Sequence, residues 1–272
     1  MILAGLLLLA IGGADLVRAF VPRRWAGYLV VAVAALAIGV VAAALLEALV
    51  AVVVAAVWVW AVPTHRPVRA AFWPALAVGV LCALAVMSIP PRASAGVMSD
   101  VWQFPTPGGE LSFDAAVLVV GAVVFLFESA NVVVRLALNS VGVGGGPRAA
   151  TTAPGRDERP ADDLRGAETL AEEVAVEAVE PAAPQPLEHE PRLKGGRLIG
   201  PLERILVFSL TLLGAYTLVA AFVAAKGIVR FPEISRDSDR GNSAEYFLIG
   251  SMVSWVVALS AAALVWWSLS IA

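Results

Sequence analysis

Apolar residues in this chain gather into long uncharged runs separated by short charged breaks. The clearest run is residues 26–62, where Ala, Val, Leu, Ile, Gly and Trp dominate and Glu47 is the one charge. A run of 18 or more such residues reads as a bilayer-spanning helix. Lipid offers no hydrogen bonds, so a spanning backbone must satisfy itself as a helix or as a closed barrel. The runs lack the period-2 alternation of barrel strands. The expected fold class is therefore all-α integral membrane, a polytopic helical bundle.

The first span covers about residues 2–20 and ends at Val21-Pro22-Arg23-Arg24. As one helix, residues 26–62 would be about 55 Å long, against a hydrocarbon core of about 30 Å. The run is therefore read as two spans turning near Leu45–Glu47, with Glu47 solvated at the turn. Residues 63–69 close the third span, a fourth runs over about 70–88, and a fifth over about 115–138. The loop between them, 89–114, is rich in Pro, Gly and Ser. Residues 142–196 are glycine, acids, Pro, Ala and Thr, which cannot bury enough apolar surface to offset the entropy of ordering. Within them Ala167–Glu180 has some helical spacing, read as a transient helix. Beyond lie 197–231, a polar loop, and a last span at about 246–268. Residues 203–225 read either as one span, or, with a turn near Gly214-Ala215-Tyr216, as two short ones; the two-span form is chosen because it keeps Lys226, Arg230, Arg236 and Arg240 on the basic side.

This gives about eight transmembrane helices in three parts. Residues 1–141 are a five-span membrane domain, 142–196 a disordered acidic cytoplasmic linker, and 197–272 a three-span C-terminal membrane module. Basic residues favour the cytoplasmic side. With both termini outside, Arg23, Arg24, Arg66, Arg69, Lys226, Arg230, Arg236, Arg240 and the linker all fall inside. Trp25, Trp58, Trp60 and Trp73 then lie at the inner interface, and Trp266 and Trp267 at the outer one.

Composition narrows the class further. Hydrophobic residues make up 60% of the chain and charged ones 15%, with mean hydropathy +0.83, outside the soluble globular range. The net charge of −3 is uninformative about partners, because the acids concentrate between 157 and 190. Cys82, the single cysteine, sits in an apolar run and reads as a small buried hydrophobe. Met1 leads straight into apolar sequence without the basic segment of a secretory signal, so residues 1–20 read as a retained span.

Charges within spans face protein or water, since each costs at least about 2.5–3.5 kcal/mol at mid-membrane. Asp15 and Arg18, three apart, share a helix face and read as an ion pair. Glu128, Asn131 and Arg135 also share a face. Arg135 is near the cytoplasmic end and can snorkel; Glu128 is about two turns deeper and needs a proton or a partner, making this trio a candidate intramembrane polar site. The densest group is Glu203, Arg204, Lys226, Arg230, Glu233 and Glu245, which the two-span reading of 197–231 gathers at the cytoplasmic interface. It reads as an ion-pair network or as a site for an anionic lipid headgroup.

The C-terminal residues also carry a resemblance. Gly196-Arg197-Leu198-Ile199-Gly200, Leu202-Glu203-Arg204, Ala224-Ala225-Lys226, Arg230-Phe231, Glu233-Ile234 and Ala244-Glu245-Tyr246-Phe247-Leu248-Ile249-Gly250 resemble the signature of an uncharacterised family of bacterial polytopic inner-membrane proteins. The resemblance covers a fifth of the chain and departs from the pattern at Pro201 and Pro232. It implies a multi-pass protein of the bacterial plasma membrane and carries over no activity.

Enzyme signals are weak. His65 and His189 have no Cys or His at ligand spacing. Gly142–Gly146 lacks the Lys-Ser/Thr ending of a phosphate-binding loop. No serine lies in a nucleophile elbow. No cofactor and no nucleic-acid partner are expected. The expected function is a non-enzymatic membrane scaffold or interaction component, its partners anionic membrane lipids or a membrane or cytoplasmic protein. The alternatives are a small-solute or ion transporter coupled through Glu128, and a lipid-modifying membrane enzyme.

Overall fold

The computed structural model describes residues 1–62, 72–88, 96–102, 104–106, 109–140, 196–236 and 242–271; at several helix ends, 230–236 and 242–246 among them, only the backbone is described. The chain divides into two units, residues 1–146 with 195–272, and residues 147–194. The second unit, and with it the expected acidic linker, lies outside the described residues.

Helices make up almost all of the described residues. In chain order these are α1 (Ile2–Phe20), α2 (Arg24–Val41), α3 (Leu45–Ala61), α4 (Phe72–Ser88) and the one-turn α5 (Met98–Val101). A two-residue antiparallel pair follows, β1 (Pro105–Thr106) with β2 (Gly109–Glu110). Then come α6 (Phe113–Val124), a π-helical turn (Phe125–Ser129), α7 (Ala130–Ser140), α8 (Gly196–Leu212), α9 (Tyr216–Arg236) and α10 (Asn242–Ser270). Four stretches are long and apolar enough to cross a membrane: Ile2–Phe20, Arg24–Val41, Phe113–Ser140 and Phe247–Ser270. Leu45–Ala61, Trp73–Ser88 and Tyr216–Val229 are apolar but shorter.

Burial sorts these helices into layers. In α1 and in Phe113–Ser140, 67% and 61% of the apolar window is buried inside the protein, against 11% in α2 and 22% in α10. The first two form the core, and the others turn Leu29, Val30, Val33, Met252 and Val256 outward. In water such a surface would be a liability; in lipid it is the ordinary exterior of a bundle.

Small residues set the core spacing. A β-carbon on Gly5 would stand 2.7 Å from the Leu118 amide nitrogen, and one on Gly12 would stand 2.8 Å from that of Phe125. One on Gly121 would land on the Gly5 carbonyl oxygen. Without a hydrophobic driving force between helices in lipid, this close backbone approach is what makes packing favourable.

The turn expected at Leu45–Glu47 lies earlier, at Ala42–Ala44, and Glu47 is a half-buried residue in the first turn of α3. Ala43 makes the reversal with φ +52°, a left-handed conformation unusual for a residue with a β-carbon. The break at Gly214 is of the ordinary kind, glycine at φ +69° between α8 and α9. Between α4 and α6, Trp102 donates from Nε1 to the Leu111 carbonyl at 2.9 Å and packs edge-on against Phe113 at 5.3 Å. Ser112 caps α6 by accepting from the Ala115 amide at 3.2 Å.

Candidate functional site: a buried polar seam

Asp15, on the last turns of α1, is 1% exposed. Three donors satisfy it. Arg18 Nη1 reaches Oδ1 at 3.1 Å from the next turn of the same helix. Trp58 Nε1 on α3 reaches Oδ2 at 3.0 Å, and Ser129 Oγ reaches the same oxygen at 2.7 Å. Arg18 also donates through Nη2 to the carbonyls of Val59 and Val62, at 2.5 and 2.8 Å. Those carbonyls lie at the C-terminal end of α3, so the guanidinium caps that helix while pairing with Asp15. One ion pair thus ties α1, α3 and the α6–α7 run together.

The π-helical turn supplies the next two groups. Its i→i+5 hydrogen bonding inserts an extra residue into the turn, and two consecutive polar residues, Glu128 at 6% exposure and Ser129 at 0%, are both buried. Ser129 goes to Asp15. Glu128 accepts through Oε2 from Asn131 Nδ2 at 3.2 Å, and it lies within electrostatic reach of both Asp15 and Arg204. Asn131 in turn accepts, through Oδ1, a short hydrogen bond from Arg204 Nη2 of α8.

Arg204 is the largest fully buried side chain among the described residues, at 2% exposure. Among the described residues its Nε has no hydrogen-bond partner. Gly200, one turn earlier, leaves room for it: a β-carbon there would stand 3.3 Å from Nη2. Arg204 therefore leaves the interfacial cluster in which the sequence grouped it. It projects into the core and joins α8 to α7.

Its neighbour Glu203 takes the other direction. Glu203 Oε2 accepts from Lys226 Nζ of α9 at 2.5 Å, with both side chains about one-fifth exposed. The ammonium also lies over the rings of Phe247 and Trp255, 5.9 and 5.6 Å from their centroids, so α8, α9 and α10 meet at one cation. The side chains of Arg230, Glu233 and Glu245 lie outside the described residues. Arg135 is exposed on α7 and is not part of the Glu128–Asn131–Arg204 chain.

Asp15 with Arg18, and Glu128 with Arg204 through Asn131, are thus buried along one seam from α1 to α8, while Glu203 and Lys226 pair separately between α8 and α9. The sequence reading missed Ser129 and Trp58. Trp58 was expected at the lipid interface, but at 2% exposure it is buried against Asp15. Partners 43 and 114 residues away from Asp15 leave no local spacing to read. Among the described residues, no group of three or more His, Cys, Asp or Glu side chains is placed to hold a metal ion. The two described cavities are lined by aliphatic and aromatic side chains rather than by the seam. No protein-family model matches this chain, and neither does any curated protein or solved structure.

Proposed function

We propose that the protein is a non-enzymatic scaffold or interaction component of the bacterial plasma membrane, crossing it about eight times with both termini outside and residues 142–196 in the cytoplasm. The observation that carries this reading is the hydrogen-bonded run Arg204–Asn131–Glu128, which joins the C-terminal helices to the N-terminal bundle. Charges that would otherwise be free to bind solutes are spent on holding helices together. The eight-span count rests on the three shorter apolar helices and α8 crossing alongside the four long stretches, and the orientation rests on the positive-inside rule. The C-terminal resemblance is what supports a bacterial inner membrane.

In this reading the C-terminal module offers its cytoplasmic face to anionic lipid or to a partner protein. Lys226 is already engaged by Glu203 and two aromatic rings, and Arg230, four residues on, is the other base of this group on which the platform reading rests. Purification of the full chain from its native membrane should recover a partner or anionic lipid that Arg230→Ala loses and Lys226→Arg retains. Equal recovery with Arg230→Ala contradicts the platform.

A transporter is the second reading, favoured by one observation: Glu128 is a buried carboxyl carried on a π-helical turn, a distortion frequent at functional sites. Reconstituted into vesicles, the transporter shows a pH-driven flux that Glu128→Gln abolishes. The scaffold shows none that depends on this residue.

A further inference from the structure

The strongest unassigned feature is a groove between α1, α2 and α3. It encloses about 250 Å³ and is lined by Ala10 and Ala14 of α1, Tyr28 and Ala32 of α2, and Ala56 and Val59 of α3, among others. Small side chains from three helices leave the space, and Ala56 is exposed, so the groove opens to the outer surface of the bundle. Along α3 its lining runs from Val52 to Val59, about 10 Å at 1.5 Å per residue. That is the shape of a slot for an extended aliphatic chain, in a bundle whose surroundings are acyl chains.

One end of the slot is polar. Tyr28 lines it, and Arg24 lies one helical turn before Tyr28 on the same face of α2. Arg23 and Arg24 are exposed, and among the described residues neither guanidinium has an acid or a hydrogen-bond acceptor. Arg18, the nearest base on α1, is fully engaged by Asp15, Val59 and Val62. The two arginines therefore present uncompensated positive charge beside an apolar slot. A second copy of this chain meeting the same face would bring like charge to the mouth. An anionic phospholipid brings the opposite charge and the chain together.

We infer that the α1–α2–α3 groove is a binding site for one anionic phospholipid, its phosphate held by Arg23 and Arg24 and one acyl chain lying along Tyr28, Ala32 and Ala56. Arginine suits the task because its planar fork meets phosphate oxygens with two parallel hydrogen bonds. The acyl chain gains what any buried methylene gains only where it displaces empty space between helices, so the groove selects for a seated lipid over a passing one. This site is separate from the C-terminal module, and its failure leaves the scaffold reading untouched.

The test uses full-length protein in detergent, titrated with phosphatidylglycerol or phosphatidylcholine of the same chain length and observed by native mass spectrometry. The unsubstituted protein should retain phosphatidylglycerol in preference to phosphatidylcholine, one molecule of it in this groove beside any held by the C-terminal module. Arg23→Ala with Arg24→Ala should lower phosphatidylglycerol retention about tenfold or more, two basic contacts being removed, and leave phosphatidylcholine unchanged. Ala32→Leu with Ala56→Leu should fill the groove and lower retention of both lipids. Arg23, Arg24 and Ala56 are exposed and Ala32 is half-buried in the groove wall, and unchanged thermal midpoints confirm that each variant folds. Equal retention of the two lipids by the unsubstituted protein overturns the site. So does full retention after groove filling, which would mean that the headgroup is drawn to the surface with no chain seated.

Discussion

Gly5 lies against Leu118 so closely that a β-carbon on the glycine would stand 2.7 Å from the Leu118 amide nitrogen. Nothing flexible fills the gap: the neighbour is main chain, and the whole of α6 must move to make room. Gly121 faces the same crossing from the other side. The approach of α1 to α6 is thus fixed by the absence of two side chains. It also sets where the polar seam runs, because Asp15 and Ser129 sit on the helix runs that those glycines bring together.

Substitution at this crossing should be costly. Gly5→Ala or Gly121→Ala is expected to destabilise the protein by about 1–3 kcal/mol, the usual cost of overpacking a filled core. Gly79→Ala is the control, because among the described residues nothing beyond its own helix backbone lies within 4 Å of its would-be β-carbon. It should be neutral or slightly stabilising through helix propensity. Thermal unfolding in detergent, followed by tryptophan fluorescence, separates the three.

Asp15 should be the most sensitive acid in the N-terminal bundle. Asp15→Ala strands Arg18 as a buried cation and should cost about 3–5 kcal/mol. Asp15→Ala with Arg18→Met should recover much of that loss, since removing both charges removes the stranded one. Ser129→Ala deletes one donor of three and should cost about 1 kcal/mol. A double-mutant comparison of unfolding midpoints checks the coupling. Additive losses at Asp15 and Arg18 would mean that the pair is not what holds α1 to α3.

Lys226 should behave differently, as a partly exposed cation with three neighbours. Lys226→Met keeps most of the aliphatic stem and loses only the ion pair and the ring contacts, so a loss of about 1–2 kcal/mol is expected. The environment of Trp255 should change with it, visible as an altered emission maximum. A fluorescence spectrum identical to that of the unsubstituted protein would place the ammonium elsewhere.

Much of the helical layout could be read from residue order alone, because bilayer thickness imposes a length on every apolar run. The break at Gly214, where the glycine has φ +69°, was legible only through the bases that follow it, because a turn there keeps Lys226 and Arg230 on the basic side. The break at Ala42–Ala44 was misplaced by about three residues, because an alanine with positive φ carries no local signal; the reversal is held by packing such as that of Gly39 against Ala48. The pair Asp15 with Arg18 followed from an offset of three, and the same spacing put Glu128 and Asn131 on one face without saying that they bond to each other. The contacts that make a seam of them did not. Trp58, Ser129 and Arg204 find their partners through tertiary approach, and residue spacing says nothing about which helix will arrive beside which. Charge and hydropathy placed Arg204 with the interfacial bases, whereas Gly200 and Asn131 give it a berth in the core.

The central claim is that Arg204 fastens the C-terminal helices to the N-terminal bundle. The direct test places a protease site in residues 147–194 of the full chain, cleaves it in the membrane, and records the temperature at which the two fragments cease to elute together from detergent. The unsubstituted fragments should stay together well above room temperature. Arg204→Ala should lower the separation temperature by roughly 4 °C or more, while Arg135→Ala, on the exposed side of α7, should leave it unchanged. Fragments that part at once without any substitution, or that hold together equally well with and without Arg204, would contradict the account.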